Sequence, residues 1–281
     1  MHEEYDNVIL IYCLCDDVLK ASGHKDDPQC HMTDAEICTV SIIAMIEYGG
    51  NFEKARNYLK KHGYIPDMID KSRFNRRLYR AVPLLWILFN FLSRMWKDIN
   101  SENIYIIDSF PVAVCHNIRI KNCKIYQSEE FRGYNASKKQ YFYGLKAHLM
   151  VTGDGKPVEF FLTPGNFSDT KALKSYAFDL PQKSIVYGDK AYNDYEVEDL
   201  LKELEEIYLT PVRKKNLKRQ FDSATCYLQN LHRKMIETAN SMITRMFPKK
   251  IHAIKPGGFE LKTFLFVLAH SFSGFIAMFS V

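Results

Sequence analysis

The sequence predicts an α/β chain, with an all-helical region over residues 1–98 followed by a mixed sheet flanked by helices over residues 99–281. Three observations carry that expectation. Before residue 98, apolar residues recur at helical spacing and glycine or proline punctuates the gaps. After residue 100, runs of β-branched and aromatic residues take over. Three such runs come first, the second and third joined by a short turn, and helix-like and strand-like segments then alternate.

Composition bounds the answer without naming it. The 281 residues allow one large domain, or a core with a smaller appendage. A hydrophobic share of 47% and a charged share of 25% suit a soluble globular core. The net charge of +5 permits a polyanionic partner but does not demand one. The seven cysteines have no framework spacing, and the first residues, Met1 to Asp6, are acidic where a secretory signal is basic. Reduced thiols and a cytoplasmic location are therefore expected. Cys13, Cys15, Cys30, His31 and Cys38 are close in sequence, but a Cys-x-Cys pair without a second knuckle argues against zinc.

The helical region reads in order. Val8, Ile9, Ile11, Tyr12, Cys15, Val18 and Leu19 share a helical face. Ala21 to Met32 is a polar loop. Thr33 and Glu36 form a capping box, and the helix they open ends at Gly49-Gly50. A short helix from Phe52 to His62 has Gly63 just beyond it. Ile65-Pro66-Asp67 is a turn, and a longer helical stretch from about Lys71 to Lys97 is broken or kinked by Pro83. Short helices with tight turns are compatible with a helix-turn-helix module. Arg73, Arg76, Arg77 and Arg80 lie at i, i+3, i+4 and i+7, on one face. Phosphates would supply their counter-charge; a solvated face is the plain alternative.

The sheet region begins with Ile104 to Ile107, a buried-type run. Tyr141–Val151 and Val158–Leu162 follow, joined by the turn Gly153-Asp154-Gly155, and suggest an antiparallel meander. Ser168-Asp169-Thr170 caps a helix of about ten residues, and Ser184–Tyr187 is a fourth strand. Asn193–Glu206 is an acidic helix and Ile207–Thr210 a fifth strand. Arg213 to Arg219 is a basic loop, and a long helix covers about Ala224 to Phe247. Phe259 to Val281 is apolar but interrupted by Glu260, Lys262 and His270, so a buried terminal helix is expected there and no membrane span.

Chemistry concentrates in two matched places. Ile104–Ile107 runs into Asp108, and Ile185-Val186-Tyr187-Gly188 runs into Asp189. A strand end holds a carboxylate rigidly at the rim of a sheet. One such aspartate is as well explained by a turn or a cap; two in matching contexts would bind a hard divalent cation. A third acid, Glu237, rides on the long helix, one turn after Arg233. On that helix Leu228, Leu231, Met235, Ala239, Met242 and Met246 form an apolar stripe expected to face the core, with Glu237 opposite. Periodicity alone makes Arg233–Glu237 a surface ion pair.

With these residues in view, the chain resembles the DDE transposases of bacterial insertion sequences, more narrowly the insertion sequence 982 family. The resemblance rests on Ile107–Val112, Tyr141–Leu149, Tyr187–Tyr192, Arg233–Thr238 and Gly258–Lys262. It implies a ribonuclease-H-like catalytic domain over residues 99–281, preceded by a DNA-binding region over residues 1–98. It implies Asp108, Asp189 and Glu237 as catalytic metal ligands for two Mg²⁺ ions about 3.5–4 Å apart, with Mn²⁺ able to substitute. The polar face of the long helix would then look into the site. The wider motif of related transposases has Tyr and Lys where this chain has Asn230 and Thr244, so only Arg233 and Glu237 carry over.

The expected reaction is metal-dependent DNA cleavage and strand transfer at the ends of an insertion sequence. Expected partners are double-stranded DNA, as terminal inverted repeats and as target, and a second copy of the chain on DNA. The expected location is the bacterial cytoplasm, with the nucleoid when bound. Lys190 and Arg233 are candidates for phosphate contact; Arg213, Lys214, Lys215, Lys218 and Arg219 form a candidate DNA track, as do Arg132, Tyr134, Lys138 and Lys139. Two other readings stay open: a nuclease of the same fold that cuts without joining, and a catalytically silent element protein that only binds DNA.

Overall fold

The computed structural model describes residues 3–135, 139–248 and 251–279, which leaves Lys138 outside the described residues. The chain forms two compact units. One comprises Met1–Arg94, Ile243–Ile251 and Leu261–Val281; the other comprises Met95–Met242 and His252–Glu260. The division therefore differs from a single cut at 98/99, because the C-terminal helix groups with the N-terminal ones.

The helical unit contains α1 (Glu3–Ala21), α2 (Asp34–Tyr48), α3 (Phe52–Lys61), α4 (Lys71–Arg80), most of α5 (Val82–Ile99) and most of α9 (Pro256–Ala277). Local chemistry sets the boundaries. The Thr33 hydroxyl accepts the Glu36 N–H, and the Glu36 carboxylate accepts the Thr33 N–H at 2.7 Å. α2 ends where Gly49 turns left-handed at φ 54°. The break expected near Pro83 falls at Ala81, which puts the proline in the first turn of α5, where a missing N–H costs nothing. Ile11, Ile37, Ile42, Phe74, Leu85 and Phe89 fill the core. Trp86 stacks on Phe264 of α9 with centroids 4.1 Å apart. α9 is long and apolar enough to cross a membrane by length and composition, but 67% of its most apolar window is buried inside the protein.

The second unit is built on a six-stranded mixed sheet: β1 (Ile104–Ala113), β2 (Arg132–Asn135), β3 (Gln140–Thr152), β4 (Pro157–Pro164), β5 (Ile185–Gly188) and β6 (Tyr208–Pro211). β3 lies antiparallel between β1 and β4. β5 runs parallel to β1, and β6 parallel to β5. α6 (Asp169–Ser175), α7 (Tyr195–Glu205) and α8 (Ser223–Met246) complete the unit. This arrangement is consistent with a ribonuclease-H-like transposase domain. Tyr105, Ile106 and Ile107 are all buried, which is why β1 reads as a continuous apolar run rather than an alternating one.

Four expectations change. β1 does not stop at Asp108. β3 pairs with it as far as Ala113, and only the parallel pairing with β5 ends at Ile107. β2 forms a hairpin with the start of β3, in a stretch where no strand was expected. α6 has 7 residues instead of about ten. Most consequentially, α8 is turned. Its buried residues are Gln229, Ile236, Ala239, Asn240 and Ile243, whereas Leu228, Leu231 and Met242 are 38–48% exposed. Relative to the apolar stripe this is a rotation of roughly 100°, about one residue's step around the helix. The cause is polar. Gln229 donates to the carbonyls of Thr210 at 3.1 Å and Pro211 at 3.3 Å, and His232 stacks on Tyr187 at 5.1 Å.

Candidate active site

Asp108 and Asp189 come together through strand register. The parallel pairing of β1 and β5 ends with Ile107 opposite Gly188, and the next residue on each strand is an aspartate. Both carboxylates therefore leave the sheet at the point where the strands part. Asp189 accepts the Ala191 N–H at 2.7 Å and caps the 3-10 turn Lys190–Tyr192. Gly188 makes room for that turn: a methyl group there would stand 3.2 Å from Tyr192 Cβ and 3.3 Å from Ile107 Cγ2. Asp108 accepts the Nδ2 donor of Asn240 at 3.0 Å.

The rotation of α8 supplies the third acid. With Ile236 and Asn240 turned inward, Arg233 and Glu237 lie on the flank of the inward face. Asp108, Asp189, Arg233 and Glu237 line one small cavity of about 50 Å³. The surface pair that periodicity predicts also forms: Arg233 Nε donates to Glu237 Oε1 at 2.9 Å, with both side chains about half exposed.

The electrostatics are those of a site short of positive charge. Burial, reinforced by Asp189 and Asp169, pushes Asp108 from 3.8 up to about 7, against the opposing pull of the Ser109 N–H and Arg233. Asp189 is also raised, first by burial and then by Asp169, while Ala191, Arg233 and Lys146 oppose. Carboxylates held up in this way would be relieved by a cation. The donors are all hard oxygens, so the set fits a hard divalent ion such as Mg²⁺ or Mn²⁺.

Comparison with protein families gives a decisive match. The model of the transposase DDE domain covers residues 99–252, more than half of the chain. The chain belongs to the DDE transposase family. Comparison with curated proteins and with solved structures found no match.

The carboxylate cavity is backed, behind Asp108, by a polar network that the sequence pattern does not single out. Ser109 Oγ donates to Asp169 at 2.8 Å, and Lys146 Nζ lies 3.3 Å from the same oxygen. His148, directly opposite Ser109 across β1 and β3, is buried between Thr163 Oγ1 at 3.0 Å and Tyr192 Oη at 3.4 Å. Burial lowers its pKa to about 4 despite Asp169. Lys146 and His148 alternate along β3, a period-2 signal that a strand reading could have paired with Ser109. Asp169 looked like a helix-start residue, which it also is. Asn240 carried no signal until α8 was turned.

The basic residues separate into groups. Arg73, Arg76, Arg77 and Arg80 line one cavity of about 300 Å³ with Gln29, Cys30 and His31. Within it Arg77 is held internally, 2.5 Å from Asp34 and bonded to the Met32 carbonyl. Arg213 is likewise turned inward, with its side chain 4% exposed, paired with Glu198 and lying over Tyr195 and Phe221. Arg219 pairs with Asp199 at 2.6 Å. Lys190, Lys214 and Lys215 are exposed. Among the described residues, His24, Asp26 and Asp34 form a further metal-sized group, but Arg77 already neutralises Asp34. No cysteine joins such a group there.

Proposed function

We propose that this transposase, of the insertion sequence 982 kind, performs divalent-metal-dependent cleavage and strand transfer at the ends of its element. The observation that supports the reading is the convergence of Asp108, Asp189 and Glu237 on one cavity. These three side chains would hold the metal. When bound, Mg²⁺ or Mn²⁺ would activate the attacking oxygen and stabilise the leaving one.

The rest of the site has tasks of its own. Asn240 fixes the Asp108 carboxylate from α8, and the Ala191 N–H fixes Asp189 from the loop. The Arg233 guanidinium balances the acids at rest, and its exposed edge can take a phosphate oxygen. Lys190, Lys214 and Lys215 would follow the backbone of the element end, and Arg73, Arg76 and Arg80 would contact duplex DNA at the helical unit. Paired DNA ends call for two copies of the chain. Action on chromosomal DNA calls for a cytoplasmic protein that associates with the nucleoid.

The test uses the full chain with duplex DNA carrying the element's terminal inverted repeat, in Mg²⁺. Asp108→Asn, Asp189→Asn and Glu237→Gln should each abolish cleavage while leaving duplex binding in place. Wild-type cleavage rates in the variants would refute the assignment. Supplying a pre-cleaved 3′-hydroxyl end then separates a transposase from a nuclease, since only the former joins it to target DNA.

A further inference from the structure

A second cleft, larger than the carboxylate cavity, adjoins the site. It has a volume of about 740 Å³, and its lining includes Arg132, Tyr134, Tyr141, Lys146, Lys190 and Lys214. Two residues of its lining lie against the site: Ala191, whose N–H donates to the Asp189 carboxylate at 2.7 Å, and Asp169, which accepts the Ser109 hydroxyl at 2.8 Å.

The walls differ from those of a plain phosphate track. Tyr134 and Tyr141 face each other across the β2–β3 hairpin, with ring centroids 5.1 Å apart. They are 54% and 51% exposed, so their rings do not serve a core. The Arg132 guanidinium lies 4.4 Å from the Tyr141 centroid. The hairpin is held in place by backbone packing: a methyl group on Gly133 would stand 2.3 Å from the Gly165 carbonyl. Exposed aromatic faces beside lysines and arginine are the pattern that stacks bases of an unpaired strand while cations hold its phosphates. The volume suits a ligand the size of a nucleotide.

We propose that this cleft receives a nucleotide displaced from the duplex beside the scissile phosphate, with its base against Tyr134 and Tyr141 and its phosphates toward Arg132, Lys190 and Lys214. The proposal rests on the DNA-processing reading above and goes beyond it. Displacement leaves the scissile phosphate on a flexible single strand that can bend into the carboxylate cavity. The base is recognised by its face, so the contact is tolerant of sequence.

The experiment measures binding of the full chain, in EDTA so that nothing is cut, to labelled oligothymidylate and to an abasic strand of the same length. Wild type should prefer the strand with bases by roughly 5- to 100-fold. The double variant Tyr134→Ala/Tyr141→Ala should bring that ratio close to one, whereas Tyr134→Phe/Tyr141→Phe should keep it. Blunt duplex binding should change less than about twofold in both, which also reports that the variants are folded. A wild-type ratio near one, or a preference that survives the alanine pair, overturns the proposal. Cleavage of the element end without a base preference removes this inference alone. A base preference in a chain that never cleaves removes the catalytic reading and leaves the cleft as a nucleotide site.

Discussion

Asp108→Asn should make this protein more stable at alkaline pH and leave it nearly unchanged in acid. In the folded chain the Asp108 pKa is raised from 3.8 to about 7, mainly by burial. Below 3.8 both folded and unfolded states hold the proton, and the charge penalty is absent. Between 3.8 and about 7 the folded state holds one proton more, so stability falls as pH rises. Above 7 the whole penalty is present: about 4 kcal/mol at about 1.4 kcal/mol per pH unit, as a ceiling. The variant has no charge to bury. Its lost or rearranged bond to Asn240 is the same at every pH and cancels in the comparison. Urea unfolding in EDTA at about pH 5 and about pH 8.5 should therefore show the variant gaining on wild type by up to about 3 kcal/mol between the two. His148 sharpens the test. Its pKa falls from 6.5 to about 4 on folding, so its contribution is present above 6.5 and lost as pH drops toward 4. In wild type the two slopes oppose each other; the variant keeps the His148 slope and loses the Asp108 one, so its stability should rise more with pH across that window than that of wild type. A difference between variant and wild type that moves by less than about 1 kcal/mol would refute a buried, charge-starved Asp108.

Four further outcomes follow from the same geometry. Arg213→Ala should cost roughly 3–5 kcal/mol of stability, measured by denaturant unfolding, because it strands Glu198 in a buried pair. Lys215→Ala should leave stability alone and reduce the salt dependence of duplex binding by about one counterion, read from affinity against salt concentration. Asn240→Ala should keep cleavage detectable but raise the Mg²⁺ concentration it needs by roughly 10- to 100-fold, since this side chain orients Asp108. Arg233→Ala should shift stability by less than about 0.5 kcal/mol, as befits a half-exposed pair, yet slow cleavage.

What was legible in the sequence followed the strength of each local signal. The capping box of α2, the Gly49 stop and the buried run of β1 came through because each is decided by a few neighbouring residues. The pairing of Asp108 with Asp189 was legible as two similar strand ends, though not as one register position. That position depends on β1 continuing past β5, which no local pattern states. The buried face of α8 departs from its apolar stripe because hydrophobicity is an incomplete guide to burial on this helix. Gln229, His232 and Asn240 turn inward for hydrogen bonds and stacking, and an apolar count cannot score these. Asp169 stayed hidden because helix-start chemistry was a sufficient explanation for it.

The rotation of α8 also removes the conflict between the two readings of Glu237. Periodicity makes it a surface acid, and the resemblance implies a ligand. A helix whose inward face is centred near Ile236 and Asn240 carries Glu237 at the margin, where one carboxylate can meet solvent, Arg233 and the carboxylate cavity. The Arg233 pair does not oppose a ligand role. An exposed i,i+4 pair is worth only about 0.3–0.5 kcal/mol. Two half-buried aspartates held above their normal pKa attract a cation far more strongly than that. At rest Arg233 pairs with Glu237, and its charge also acts on Asp108 and Asp189. Glu237 can therefore be a surface residue in the free protein and a ligand in the loaded one, at little energetic cost.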